Sequence, residues 1–224
     1  MDGVHIGYVM IEENDNKPSQ RRNYRHGDLR RALLEAGIAL ARNGGPEAVV
    51  LREATRQAGV VPNAAYRHFA NRDDLLRAVR AHALSQVAIA METELDKLSP
   101  TLPPLAYAQG CVRAVGTGYL HYAHAEPGLF KTAFFFHEGV EADADPAKAG
   151  NSGLNPFQLL SQALERLAAA GGLPPERRLG AEYLAWSAVH GLALLISEGP
   201  LQGVPEGMRQ ALGQRLLDMV EKGL

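Results

Sequence analysis

Two short helical patterns meet at a glycine within residues 51–69, LREATRQAGVVPNAAYRHF, and this segment constrains the fold more than any other part of the chain. Apolar residues recur at helical spacing over 51–58, and Gly59 then allows a sharp turn. A second short helix is predicted from Pro62, a residue tolerated in a first turn, to Phe69. This spacing is typical of a helix-turn-helix, in which the second helix lies in the major groove of DNA.

Helical periodicity also runs through the rest of the sequence, and we find no alternating apolar run long enough for a strand. The sequence therefore predicts an all-α fold, with a three-helix helix-turn-helix domain followed by a helical ligand-binding and dimerisation domain. The predicted parts are a flexible arm at 1–20, the DNA-binding domain at 21–71 and the helical domain at 72–224. Helices are predicted at 28–42, 51–58, 62–69, 72–98, 104–124, 126–137, 156–170, 176–198 and 205–222, with a flexible loop at 138–153 and side-chain caps at Asp28, Asn71 and Asn155.

Charge is unevenly distributed along the chain, whose formal net charge is only −2. Residues 1–16 carry a net charge of −4, residues 17–80 carry +7 and residues 81–224 carry −5. A compact basic segment beside a mildly acidic one is typical of a protein that binds a polyanion through one part of its surface. Charge alone is explained equally well by a solvated basic face, so the inference of DNA binding depends on the helix-turn-helix spacing as well.

Several classes of protein are excluded by what the sequence lacks. No apolar run approaches the ~18–20 residues of a membrane span, and the first residues do not have the pattern of a secretory signal. A single cysteine, Cys111, excludes a disulfide framework and a thiolate zinc cluster, and its apolar neighbours indicate a small buried residue. We therefore expect a cytoplasmic protein with no membrane partner.

Five short motifs occur in order between residues 22 and 78: YRHGDL at 24–29, LRE at 51–53, AGV at 58–60, AYRHF at 65–69 and RDDLL at 72–76. This ordered set resembles the N-terminal part of the tetracycline-repressor (TetR) family of bacterial transcriptional regulators. The stretch WSAVHG at 186–191 is similar to a Trp…His-Gly element in the C-terminal domain of one branch of that family. The resemblance implies a homodimer with two DNA-binding heads and a helical body that holds a small-molecule pocket in each subunit. We accordingly predict a repressor that is not an enzyme, needs no cofactor, binds a near-palindromic operator and is released by a small molecule.

The predicted recognition helix carries side chains suited to both bases and phosphates. Asn63 can pair with adenine, and Ala64 can pack on a thymine methyl group. By position, the resemblance implies phosphate contacts for Tyr66 and His68, and for Arg72, which stands where the family usually has lysine. Arginines ahead of the first helix can enter a minor groove. The predicted DNA-binding residues are Arg21, Arg22, Arg25, Arg52, Pro62, Asn63, Ala64, Tyr66, Arg67, His68 and Arg72.

The sequence departs from the family pattern in the head. The family usually has Ser or Thr just before the second and third helices, where the hydroxyl caps the helix and can touch a phosphate, but here these positions are Val50 and Val61. Each missing cap costs about 0.5–2 kcal/mol of helix stability. Asn63 stands where glycine is common, which can alter base preference. The helix-turn-helix is still expected to form, because tertiary packing dominates the stability of short helices.

Aromatic residues are concentrated in the second part of the chain, where ten of the fourteen Phe, Tyr and Trp residues follow residue 100. They suit an apolar ligand cavity between helices, and they suit an ordinary core equally well, so both alternatives stay open. The predicted ligand neighbours combine aromatic surface with a polar group and are Tyr119, Phe134, Trp186 and His190.

Histidine spacing offers two weaker alternatives. His121 and His124 share a helix face and could hold a metal, but no companion Cys or acid stands at ligand spacing, so we predict ordinary polar histidines and no metal site. Ser187 and His190 have the same spacing, but the sequence contains no nucleophile elbow and no carboxylate to orient the histidine, so a hydrolase is not favoured.

The last two predicted helices are expected to form the dimer interface, by pairing with the same faces of a second chain in a four-helix bundle. The alternative is that these apolar faces complete the monomer core. The residues of the predicted interface include Leu184, Val189, Leu192, Ile196, Leu212, Leu216 and Met219.

Two other functions remain open. One is a helical small-molecule-binding protein or enzyme with a vestigial DNA-binding head, for which the two valines at cap positions are the only support in the sequence. The other is a structural DNA-binding protein that responds to no ligand, which would have no pocket and would bind DNA without regard to sequence.

Overall fold

A computed structural model describes residues 26–135 and 145–224 of the chain. Within these residues the chain forms ten α-helices, two short 3-10 turns and no strand, which confirms the predicted all-α fold. None of the described helices is long and apolar enough to cross a membrane. The predicted arm at 1–20 and the predicted minor-groove residues Arg21, Arg22 and Arg25 lie outside the described residues. The helices are α1 His26–Gly44, α2 Leu51–Ala58, α3 Pro62–Ala65, α4 Arg72–Leu95, α5 Pro104–Ala125, α6 Pro127–Ala133, α7 Pro156–Ala169, α8 Pro175–Arg178, α9 Ala181–Ser197 and α10 Glu206–Gly223.

Two predicted helices have a different form in the structure. α3 ends at Ala65, and the amides of His68 and Phe69 both bond to the carbonyl oxygen of Ala65 at 2.9 Å, so a turn replaces the predicted end of that helix. The predicted helix at 176–198 is divided into α8 and α9, because the chain is extended at Leu179 and left-handed at Gly180, where φ is 79°. The ends of α4 and α6 also lie three and four residues earlier than predicted.

Two of the three predicted side-chain caps, Asn71 and Asn155, are present in the structure. The Asn71 side chain accepts a hydrogen bond from the Asp74 amide at 2.9 Å, and Asn155 forms a capping box with Gln158. α1 begins at His26, so Asp28 lies within its first turn rather than ahead of it. The valines at the N-cap positions of α2 and α3 leave both helices without a side-chain cap, as the departure from the family pattern predicts.

One continuous core of buried apolar residues extends from the first helices into the centre of the molecule, where α4 packs along α5. We call α1 to α3 the head and α4 to α10 the body. The short helix α6 lies against both, and Gly128 comes so close to α1 that a Cβ atom there would be 2.4 Å from the Ala41 carbonyl oxygen. Only glycine permits this approach. Cys111 is buried in the body, as its apolar neighbours predict.

The second half of the predicted flexible loop is held against α4. Residues 136–144 lie outside the described part of the chain, but Pro146–Lys148 form a 3-10 turn. The buried carboxylate of Glu92 accepts hydrogen bonds from the amides of Asn151 and Ser152 at 2.8 and 2.9 Å. These bonds to a buried charge fix the chain just ahead of α7, at a place where the residue pattern showed no sign of order.

Candidate functional site

The turn between α2 and α3 has the geometry of a helix-turn-helix. Gly59 ends α2 in the left-handed conformation, with φ of 68°, and its amide bonds to the Arg56 carbonyl oxygen at 3.2 Å. The next amide, of Val60, bonds back to the Thr55 carbonyl oxygen at 3.1 Å, so two carbonyls in the last turn of α2 are satisfied within the turn. Fully buried Ala54 and Ala65 hold the two helices together from the inside.

The predicted base-reading side chains lie on the outer side of this unit. Pro62, Asn63 and Arg67 are exposed, and Ala64 is partly exposed. Tyr66 is 58% exposed, although large aromatic side chains usually find cover in a folded chain. His68 is half-buried, and Arg52 is exposed on α2. Among the described residues, the predicted base-reading side chains are therefore exposed or partly exposed.

The guanidinium of Arg72, one of the predicted DNA-binding residues, bonds within the chain. Its Nε donates to the Val49 carbonyl oxygen at 2.9 Å, and a terminal nitrogen donates to the Pro46 carbonyl oxygen at 2.7 Å. These bonds tie the start of α4 to the segment that leads into α2. The predicted phosphate contact of Arg72 therefore depends chiefly on its backbone amide at the N-terminus of α4, where four helix amides have no helical partner.

A cavity of about 670 Å³ lies within the body, between α4, α5, α7, α9 and α10. Such a volume is in the range of sites for drug-sized ligands. Most of its wall is apolar, and all four predicted ligand neighbours line it: Tyr119, Phe134, Trp186 and His190. The structure thus brings together residues from three separate parts of the sequence. Lining residues that sequence reasoning missed include Arg80, Lys148, Asn155 and Phe157.

The aromatic residues form one cluster around the His190 ring. Its centroid lies 5.0 Å from that of Phe134, 5.7 Å from Phe130 and 5.8 Å from Trp186. Phe130 is fully buried, whereas Phe134 and Trp186 border the cavity. The two alternatives for these residues therefore both hold, since one layer of the cluster belongs to the core and the next forms the cavity wall.

A chain of hydrogen bonds connects three of the predicted ligand neighbours. Trp186 Nε1 donates to the Tyr119 hydroxyl at 3.0 Å, and that hydroxyl lies 2.7 Å from Nδ1 of His190. Burial raises the pKa of Tyr119 and lowers the pKa of His190, so the phenol keeps its proton and the imidazole is neutral near pH 7. The three side chains thus form a neutral polar group within an apolar wall.

The two histidines considered as metal ligands each contact a single carboxylate. His121 Nδ1 lies 3.1 Å from Glu94, and His124 Nε2 lies 2.7 Å from Glu206. Within the described residues no group of three or more potential ligands comes together. Both histidines border a second cavity of about 330 Å³ between α5, α9 and α10.

Two family models match this chain, one in its N-terminal part and one in its C-terminal part. Residues 33–79, which contain the helix-turn-helix, match a family model described as bacterial regulatory proteins of the tetR family. Residues 112–220, which contain most of the cavity wall, match a tetracyclin repressor-like C-terminal domain. The chain belongs to the TetR family. It is therefore a regulator with a DNA-binding helix-turn-helix, and the resemblance in the head motifs is confirmed.

Solved structures share the TetR fold at low sequence identity. A protein of unknown function from Rhodococcus sp. RHA1 has 24% identity and a TM-score of 0.70, over 91% of this chain and 98% of that one. The TetR family regulator PfmR from Thermus thermophilus has 16% identity and a TM-score of 0.54, over 87% and 95%. A TetR variant from Acinetobacter baumannii AYE, in complex with minocycline, has 17% identity and a TM-score of 0.51, over 85% and 93%. A comparison with curated proteins found no match.

Proposed function

We propose that this TetR family regulator is a repressor that binds a near-palindromic operator as a homodimer and is released when a small molecule enters the body cavity. The observation that carries the proposal is that one short helix, α6, contacts the head and also carries part of the aromatic cluster around the cavity. A ligand that favours one arrangement of this helix would change the affinity of the head for DNA. By linkage, DNA binding would change the affinity of the cavity for the ligand by the same free energy.

The contacts of α6 support such coupling. Toward the head, Gly128 packs against the end of α1, and Lys131 Nζ lies 3.4 Å from Glu47 Oε1 in the segment before α2. Toward the cavity, Phe130 packs edge-on against Tyr119 at a centroid distance of 5.3 Å. Arg80 Nε donates to the carbonyl oxygen of Ala133 at 3.0 Å, so α4 also holds the last residue of α6.

In the head, we assign base contacts to Asn63 and Ala64, and backbone phosphate contacts to Tyr66 and His68. The exposure of Asn63 and Tyr66 and the partial exposure of Ala64 and His68 support this assignment. Phosphate contacts position a protein on the duplex, whereas contacts to base edges distinguish sequences. The remaining predicted contacts of the head are assigned to Arg21, Arg22, Arg25, Arg52, Pro62, Arg67 and Arg72.

The outer faces of α9 and α10 support a homodimer. Leu184 and Leu195 are exposed on one face of α9, and between them lies Gly191, where a Cβ atom would meet nothing within 4 Å. On α10, Met219 is 62% exposed. A face of large apolar side chains around small ones allows two helices to approach closely across a two-fold axis. Of the predicted interface residues, Val189 instead lies in the monomer core.

The direct test of DNA binding is a gel-shift or polarisation titration of the purified chain with the DNA upstream of its own gene, over a series of salt concentrations. The logarithm of affinity should fall linearly with the logarithm of salt concentration, because phosphate contacts release counterions. A flat salt response would contradict binding through phosphates. A chain that fails to retard this DNA but binds small molecules would favour the alternative of a vestigial head.

Variants of the recognition element separate the two kinds of contact. Tyr66→Ala should weaken binding to every DNA sequence, and Tyr66→Phe should do so as well, because the hydroxyl is the group assigned to phosphate. Asn63→Ala should instead relax the preference at particular base pairs, measured with a set of singly substituted operators. Equal losses on all operators for Asn63→Ala would show that this residue does not read a base.

A further inference from the structure

The hydrogen-bond chain in the cavity wall determines which nitrogen of His190 carries the proton. The Tyr119 hydroxyl has one proton and already accepts a hydrogen bond from Trp186. If His190 Nδ1 also donated to it, the hydroxyl proton would be left without a partner on a side chain that is only 3% exposed. A buried donor without a partner is costly, so the hydroxyl donates to Nδ1 and the proton of the neutral ring is on Nε2.

The Nε2–H of His190 is then a hydrogen-bond donor on a residue that lines the cavity. His190 lines the cavity, and none of the described residues accepts a hydrogen bond from its Nε2. The rings of Phe134, Phe130 and Trp186 surround the imidazole at centroid distances of 5.0 to 5.8 Å and restrict its rotation. The donor is therefore fixed in direction before any ligand arrives, which lowers the entropic cost of binding.

We propose that the effector is an aromatic compound that presents an acceptor oxygen, such as a carbonyl, to Nε2–H of His190. The aromatic part of this ligand class follows from the wall, in which Phe134, Phe157 and Trp186 offer ring faces and edges. The acceptor follows from Nε2–H of His190, for which the described residues offer no acceptor. This inference rests on the proposed function, since it takes the cavity to be the effector site.

The test uses two naphthalene probes of similar shape, 2-acetylnaphthalene as the ketone and 2-isopropylnaphthalene as the hydrocarbon. Trp186 is the only tryptophan of the chain, so a change of its fluorescence reports that a probe has entered the cavity. Dissociation constants come from calorimetry on the full chain. The hydrophobic effect alone favours the hydrocarbon, so the quantity compared between variants is the ratio of ketone affinity to hydrocarbon affinity.

Two variants of one residue provide the test and its matched control. In His190→Asn the amide oxygen can replace Nδ1 as the acceptor for Tyr119, but no group replaces Nε2–H. In His190→Gln the amide nitrogen reaches toward the position of Nε2 and keeps a donor there. We expect the ketone-to-hydrocarbon ratio to fall about fivefold in His190→Asn, the size of one hydrogen bond, and to recover at least in part in His190→Gln.

Each result then has one meaning. If the probes bind but the ratio is the same in the wild type and His190→Asn, the acceptor inference is overturned while the effector cavity stands. If no probe changes the fluorescence of Trp186, both the inference and the proposed effector site are overturned.

A measurement on the wild-type chain keeps the inference testable if the variants do not fold. In nitrogen-15 spectra of the histidine side chains, His190 should show an unprotonated Nδ1 and a protonated Nε2. The ketone should shift the Nε2 signal more than the hydrocarbon does. Equal shifts with the two probes, or a proton on Nδ1, would overturn the inference.

Discussion

The head and the body use their functional side chains in opposite ways. In the head, Asn63, Tyr66 and Arg67 are exposed, and the fold there depends on other residues, such as the buried Ala54 and Ala65. In the body, the residues assigned to the ligand are bonded to one another and packed into the same cluster that forms part of the core. Substitutions in the head should therefore change DNA binding at nearly constant stability, whereas substitutions around the cavity should change both stability and ligand binding.

Phe130→Ala is the substitution expected to have the largest effect. Phe130 is fully buried on α6, between Tyr119 and Phe134, so its removal leaves a void beside the cavity wall. Truncation of a buried phenylalanine costs about 3–5 kcal/mol of unfolding free energy. Urea unfolding followed by circular dichroism measures the loss. As a control, Leu179→Ala changes a side chain that is 95% exposed and should stay within about 0.5 kcal/mol of the wild type.

Arg72 and Arg67 provide the sharpest comparison of a structural arginine with a DNA-binding one. Arg72→Ala removes the two hydrogen bonds to the carbonyl oxygens of Pro46 and Val49, so it should lower the unfolding free energy by about 1.5–3 kcal/mol. Arg67→Ala should leave stability nearly unchanged, because Arg67 is exposed, and should reduce the slope of log affinity against log salt by about 1. Equal effects of the two variants on stability would contradict the distinction between them.

The head could be predicted from the sequence to a large extent because its determinants are local. The turn at Gly59, the cap at Asn71 and the missing caps at Val50 and Val61 each depend on a residue and its near neighbours, so the spacing of residue types was sufficient. The length of α3 was overestimated, because the pattern does not show that the chain tightens into a turn after Ala65.

The body was predicted in outline, but its contacts depend on residues far apart in the sequence. Composition led to the prediction of Tyr119, Trp186 and His190 as ligand neighbours, and the three line one cavity. The Tyr119 hydroxyl that joins them bonds to residues 67 and 71 positions away, a separation over which no residue pattern gives information. The break at Gly180 was missed for a related reason. The apolar residues on either side continue a helical pattern, and only tertiary packing shows that the chain changes direction there.

The pH dependence of stability offers a test of the buried histidine. Burial lowers the pKa of His190 from its ordinary value of 6.5, so the unfolded chain takes up a proton more readily than the folded one. The unfolding free energy should therefore fall as the pH drops from about 6.5 toward the lower pKa of the folded state. Above about pH 6.5, His190 should cause no change in the unfolding free energy. His82, whose pKa is lowered by burial and by Arg42, contributes with the same sign.

His190→Gln separates the two histidines, because it removes one titrating group and keeps the other. The variant should lose less stability than the wild type between about pH 7 and pH 5, as measured by urea unfolding at several pH values. The remaining decline belongs to His82 and to carboxylates shared by both proteins. An identical decline in the two proteins would show that His190 titrates in the folded chain as it does in the unfolded one.

The smallest expected effect comes from restoring a cap in the head. Val61 has the extended backbone of an N-cap residue, with φ of −74° and ψ of 140°, and its side chain is 69% exposed, so threonine fits without rearrangement. Its hydroxyl could accept a hydrogen bond from the Asn63 or Ala64 amide and stabilise the chain by about 0.5–1 kcal/mol relative to Val61→Ala, which also removes the valine but adds no acceptor. Because the cap is local to the head, this gain should leave ligand binding to the free protein unchanged and should tighten DNA binding through one further phosphate contact. A variant with higher stability and unchanged DNA affinity would show that the cap acts on the fold alone. A variant with altered ligand binding would show that even the N-cap of α3 is coupled to the cavity.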